Sequence, residues 1–187
     1  MITTPSNLEP LIALTHHRWA IPILSELQRD NGAKFVTLVN RLSISRDALS
    51  RTLEALSTAG LIARNPGYGH PLRPEYILTP TGKEVGPNVL EFMNRLKELE
   101  ATEIGLKKWT LPILSAVHHG IKRFSRLREV MPALSPRALT LGVQDLESLG
   151  WLERQPGGSY QLIASGERLA TMLEPLVRTL MQHAANE

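Results

Sequence analysis

The block Arg18-Trp19-Ala20-Ile21-Pro22-Ile23-Leu24-Ser25 returns 90 residues later as Lys108-Trp109-Thr110-Leu111-Pro112-Ile113-Leu114-Ser115. The chain has only 3 tryptophans, so a matched Trp-x-x-Pro-Ile-Leu-Ser is a strong sign of duplication. The match continues in order. Lys34-Phe35 and Leu38 are answered by Arg123-Phe124 and Leu127. Ser45 with Ala48-Leu49 is answered by Ser135 with Ala138-Leu139. Gly60-Leu61 is answered by Gly150-Trp151, and Tyr76-Ile77-Leu78 by Tyr160-Gln161-Leu162. The offset shortens from 90 to 84 between Arg154 and Tyr160, where a loop is expected. Two copies of one unit are therefore predicted, over 1–97 and 98–187.

Within a copy the apolar spacing is helical. Leu8, Leu11, Ile12 and Leu14 mark one face of a short helix. Thr15 is a candidate N-cap for the next helix, which carries Trp19, Ile23, Leu24 and Leu27, with Pro22 in its first turn. Asn31-Gly32 ends it. Phe35, Leu38, Val39 and Leu42 mark a shorter helix. Ser45 caps a further one, with Ala48, Leu49, Leu53 and Leu56 inward and Gly60 as its left-handed terminator. Residues 61–64 and 75–78 read as strands around a Gly/Pro-rich loop. Thr79-Pro80 opens the last helix. In the second copy Ser135-Pro136 and Gly150 play the same capping parts, but Ile163 stands where Thr79 stood, so that cap hydroxyl is lost. The fold class predicted is mainly α with small β-hairpins, in two tandem winged helix-turn-helix units. The second helix of each pair is the one that enters a DNA major groove in such motifs.

Composition narrows the chemistry. Hydrophobic residues are 42% of the 187, enough for a packed core, and aromatics only 5%. There is no cysteine, which excludes disulfides, thiolate metal sites and thiol redox sensing. Net charge is +3, so placement of charge rather than its sum must carry any argument for nucleic acid. No signal peptide or membrane span is read, and a cytoplasmic protein is expected. His16-His17 and His118-His119 are adjacent pairs whose side chains diverge on a helix. They are read as capping or surface groups rather than metal ligands. No P-loop, nucleophile elbow or dinucleotide fingerprint is present, so neither an enzyme nor a cofactor is expected.

Lys/Arg-Trp-x-x-x-Ile-Leu, Phe-x-x-Leu before the turn, Ser-x-x-x-Leu after it, Leu-x-x-x-Gly-Leu/Trp before the wing and Tyr-x-Leu-Thr-x-x-Gly beyond it follow one another along the chain. In that order and spacing the sequence resembles the HxlR-type branch of the MarR-like winged-helix regulators, twice over. The resemblance implies a DNA-binding transcriptional regulator, here read as a repressor. Single-unit members pair as homodimers through their first and last helices. The fused chain is expected to form an intramolecular pseudo-dimer on double-stranded DNA, with a homodimer as a further state. Many members sense electrophiles through an N-terminal thiol. That position falls near Ser6 here, so the switch does not carry over. No effector is legible.

The exposed face of the first recognition helix should present Arg46, Asp47, Ser50 and Arg51. Arginine bonds guanine edges bidentately, and aspartate accepts from cytosine or holds Arg51 one turn on. The second should present Arg137, Thr140, Leu141, Gln144 and Asp145, with glutamine suited to adenine and threonine or leucine to the thymine methyl. Lys34, Arg123 and Arg126, with neighbouring Lys122 and Arg128, suit phosphates. The first wing offers Arg64, His70 and Arg73, while the second is short and uncharged at its tip. Trp19, Trp109 and Trp151 are read as core rather than as a ligand pocket. The competing reading is a winged-helix module that binds protein and little DNA.

Overall fold

In the computed structural model, residues 8–65 and 75–185 are described. The first copy runs α1 (Glu9–Thr15), α2 (Ala20–Asp30), β1 (Ala33–Lys34), α3 (Phe35–Leu42), α4 (Arg46–Thr58), β2 (Ile62–Asn65), β3 (Glu75–Leu78) and α5 (Pro80–Glu98). The second runs α6 (Thr102–Gly105), α7 (Thr110–His118), α8 (Phe124–Val130), α9 (Pro136–Ser148), β4 (Leu152–Arg154), β5 (Tyr160–Leu162) and α10 (Ala164–Ala185). This is the predicted α+β class with two winged helix-turn-helix units. Among the described residues, no helix is long and apolar enough to cross a membrane.

The turns follow the residues that dictate them. The Ala48 and Ala138 amides donate to the Ser45 and Ser135 hydroxyls at 3.3 and 3.2 Å, as N-cap serines should. Asn31 ends α2 in the left-handed region at φ 55°, and Gly60 and Gly150 leave α4 and α9 at φ 66° and 64°. Thr15 does not cap α2. Its hydroxyl donates back to the Leu11 carbonyl at 2.9 Å, the i−4 bond that threonine favours inside a helix. Helix α2 begins after Trp19 with no side-chain cap.

One strand was not anticipated. β1 joins the hairpin, giving the antiparallel order β1-β3-β2 with Lys34 opposite Glu75. The second copy keeps only β4 paired with β5, plus a single bridge from Arg123 to Ser159 at the matching place.

The last helix of each copy docks in the same way. The Thr79 hydroxyl accepts from the Gly82 amide at 3.0 Å and donates to the Gly60 carbonyl at 2.6 Å. Position 163 lacks that hydroxyl, yet the tie survives: Ser165, two residues on, donates to the Gly150 carbonyl at 2.7 Å. Gly82 and Gly166 press against the chain ahead of the wing. A Cβ on either would stand 2.0 Å from the Leu61 carbonyl oxygen or 2.1 Å from that of Trp151.

The core is aliphatic. Leu24, Leu27, Leu38, Leu49, Leu56, Val85, Phe92 and Leu96 are buried in the first copy, and Ile113, Leu114, Leu127, Leu139, Leu146 and Trp151 in the second. Each fully buried large side chain contributes about 1.5–3 kcal/mol relative to exposure. Trp151 is wholly enclosed, and Trp19 and Trp109 pack half-buried against the core. The two copies meet through helices: α5 packs along α10, and α1 touches α7 and α10.

Candidate nucleic-acid interface

Each helix pair, α3–α4 and α8–α9, holds its second helix by one apolar face and leaves the other in solvent. On α4, Leu49, Leu53 and Leu56 turn inward, and Arg46, Asp47, Ser50 and Arg51 are exposed together. On α9, Leu139, Val143 and Leu146 turn inward, and Arg137, Thr140, Leu141 and Gln144 are exposed, Leu141 at 52%. Thr140 uses its hydroxyl proton on the Pro136 carbonyl at 3.0 Å, leaving its methyl and oxygen lone pairs for an incoming group.

The charges on these faces are uncommitted. Arg46, Arg51, Arg123 and Arg137 form no ion pair with any described residue. The expected Asp47–Arg51 pair does not form either. Both side chains are exposed, where such a pair gains little, and Asp47 lies in the first turn of α4, where the helix dipole already favours a carboxylate.

The basic cluster of the second copy is gathered in part. Lys122, Arg123 and Arg126 line a cleft of about 550 Å³ with Val130 and Ser159, at the junction of α8 and the wing. The Tyr160 amide donates to the Lys122 carbonyl at 2.7 Å, fixing that junction. Arg126 is paired with Glu129 one turn away, so part of its charge is answered within α8. Arg128 and Arg137 are exposed outside this cleft. Lys34 is exposed at the corresponding place in the first copy, on β1 just ahead of α3.

Arg64 lies at the base of the first wing with its guanidinium 5.7 Å from the centre of the Tyr76 ring. Arg154 stacks in the same way on Tyr160 at 5.6 Å. The same pairing stands in both copies and holds a cation at each wing base. Arg64 also borders a cleft of about 220 Å³ with Ser50 and Glu54, which places the wing base beside the reading face of α4. His70 and Arg73 lie outside the described residues.

Two networks that support the site were not foreseen. Buried Glu26 on α2 accepts from Arg29 at 2.7 Å and from Arg41 of α3 at 3.3 Å, and Arg41 also pairs with Asp30. The hydrogen bond and charge of Asp30, joined by Glu26, hold the Arg41 guanidinium above its ordinary value. In the second copy the histidines are not simple surface groups. His118 meets Glu167 at 2.7 Å, and His119, bonded to the Ser115 carbonyl at 2.8 Å, meets Glu174 at 3.2 Å. Both ties fasten α7 to α10. The carboxylates are remote in sequence, so neighbouring residues gave no sign of them.

Two exposed reading helices, each backed by a β-hairpin wing, are the geometry of a DNA-binding module repeated. A family model for HxlR-like helix-turn-helix units matches residues 14–104 and again 103–187. The chain belongs to the HxlR-like helix-turn-helix family. Neither a curated protein nor a solved structure matches it. Carrying two HxlR-like units, the chain is of the kind that binds DNA and regulates transcription.

Proposed function

We propose that the chain is a sequence-specific repressor in which the HxlR-like units 1–97 and 98–187 pair within one chain and read two unlike DNA half-sites. The observation that supports this most is the packing of α5 along α10, with α1 against α7 and α10. Of these, α1, α5 and α10 are first or last helices of their units, the elements through which single-unit members of the resembled family pair. Covalent linkage makes that pairing intramolecular, with no bimolecular cost.

The reading faces differ where they meet bases. Arg46, Ser50 and Arg51 on α4 suit guanine and phosphate. Thr140, Leu141 and Gln144 on α9 suit thymine methyls and adenine. Lys34, Arg64, Arg123, Arg126 and Arg137, with His70 and Arg73 of the first wing, are assigned to the backbone and grooves, and Asp47 to a cytosine amine. An inverted repeat with unequal halves about one helical turn apart is the preferred site.

Light scattering with footprinting tests the arrangement. One chain per duplex protecting two half-sites is expected. An obligate homodimer protecting four would overturn it. The exposed Leu141 also fits a protein partner. If wild-type protein shows no affinity for duplex even at low salt, that second reading replaces the first.

A further inference from the structure

A DNA backbone phosphate can be met by cations on an open surface, whereas Lys122, Arg123 and Arg126 line a cleft of about 550 Å³. A volume of this order suits a small organic molecule. The Tyr160 amide on the Lys122 carbonyl and the bridge from Arg123 to Ser159 tie the approach to α8 to the wing beside it. The aligned residues of the first copy are Ala33, Lys34 and Thr37, one cation in place of three.

The lining sets the chemistry. Lys122 and Arg123 form no ion pair with any described residue, so two positive charges stand unanswered. Among the described residues no carboxylate lines the cleft. Glu129 and Glu174, which touch lining residues, are engaged by Arg126 and His119. Ser159 adds a hydroxyl with no partner among the described residues. Ile121 and Val130 add an apolar stretch. The wall is thus basic with an apolar part.

We propose that this cleft binds the phosphate ester of a small apolar molecule, one per chain. Lys122 and Arg123 take the phosphate oxygens, with Arg126 adding a lesser part and Ser159 a hydroxyl donor. Ile121 and Val130 meet the organic body. Arginine suits phosphate as a two-pronged donor and lysine as a point charge. Arg123 and Arg126 are also assigned to the DNA backbone. Resting on that reading, the ester and a backbone phosphate compete for the same cations, so occupancy releases DNA.

Calorimetry on the full chain with phenyl phosphate tests the site. One molecule should bind per chain, with a Kd at or below about 1 mM. It should bind at least about tenfold tighter than phenyltrimethylammonium, of opposite charge, and at least about threefold tighter than inorganic phosphate, which lacks the ring. Lys122→Ala/Arg123→Ala should weaken it about tenfold or more with melting unchanged. No binding at about 1 mM, equal binding of the ammonium, or binding indifferent to the double variant overturns the proposal. Inorganic phosphate that binds as tightly overturns the part given to Ile121 and Val130. Should the double variant fail to fold, Glu129→Gln decides: releasing Arg126 should tighten the ester about twofold or more, and no gain overturns the proposal. The ester should weaken duplex binding about threefold or more beyond sodium chloride of equal ionic strength, and an unchanged affinity overturns the competition. The calorimetry uses no DNA. A wild-type chain that binds the ester and no duplex would sink the DNA reading and leave the site standing; one that binds duplex and no ester does the reverse.

Discussion

Arg41 of α3 closes on buried Glu26 of α2 at 3.3 Å, and this charged seat fixes the first helix of one reading pair. The aligned positions in the other copy are Ala116, fully buried, and Val130, packed against the core. Both α3 and α8 are therefore held by apolar faces, through Leu38 and Leu127, and α3 adds a charged tie where α8 has only apolar residues. Glu26 is buried while Arg41 is half exposed, and without Arg41 the buried carboxylate keeps only Arg29, so replacing both ends by the apolar residues of the other copy costs less than removing Arg41 alone. Arg41→Val should lower the melting temperature, and Glu26→Ala/Arg41→Val should recover much of the loss. Calorimetric melting of the two variants checks this; a double variant less stable than Arg41→Val contradicts it.

Helix docking gives a sharper contrast. A Cβ at Gly82 meets the Leu61 backbone oxygen at 2.0 Å, whereas one at Gly86 meets the end of the Gln28 side chain at 2.2 Å. Backbone cannot swing aside, and a flexible amide can. Gly82→Ala and Gly166→Ala should each cost about 2–3 kcal/mol, near the upper end of overpacking, and Gly86→Ala distinctly less. Denaturant titrations of the three variants measure the difference.

The uncommitted arginines predict separable effects on DNA. Arg46→Ala or Arg51→Ala should each weaken the preferred duplex by about 1–3 kcal/mol and relax base preference, with melting unchanged. Lys122→Ala/Arg123→Ala should weaken all duplexes alike and lower the salt slope by about 2. Fluorescence anisotropy across a salt series distinguishes the two classes. Equal losses on every sequence for Arg46→Ala would assign it to phosphate instead.

His17 carries a pH signature. Its folded value lies below the ordinary 6.5, through burial first and His16 second. The unfolded chain therefore takes up its proton first as pH falls. Above about 6.5 the group costs the fold nothing; between 6.5 and the lower folded value stability declines, and below that the penalty is complete. His17→Gln should lose less melting temperature than wild type on going from pH 7 to the acid side of this window. Parallel declines would contradict the assignment.

The scaffold was legible because each copy repeats what dictates it: serine caps, left-handed glycines and aliphatic spacing. What escaped had physical reasons. Ala33-Lys34 is too short to show strand alternation. The Glu26–Arg41 and His119–Glu174 ties join different helices, so nothing local marks them. The loss of the Thr79 hydroxyl was read correctly at its own column, but the bond to the glycine carbonyl moved to Ser165, which column-by-column comparison misses. The reading faces could be listed from helical spacing. That Arg126 is answered by Glu129, and Asp47 does not hold Arg51, depended on geometry.

The central claim is that one chain reads two unlike half-sites. Selection of bound duplexes from a random pool tests it most directly. The account predicts an enriched site with two different halves about one helical turn apart. In that site, one half should lose its information in Arg46→Ala/Arg51→Ala and the other in Thr140→Ala/Gln144→Ala. A perfect palindrome, or a pool with no enrichment, would contradict it.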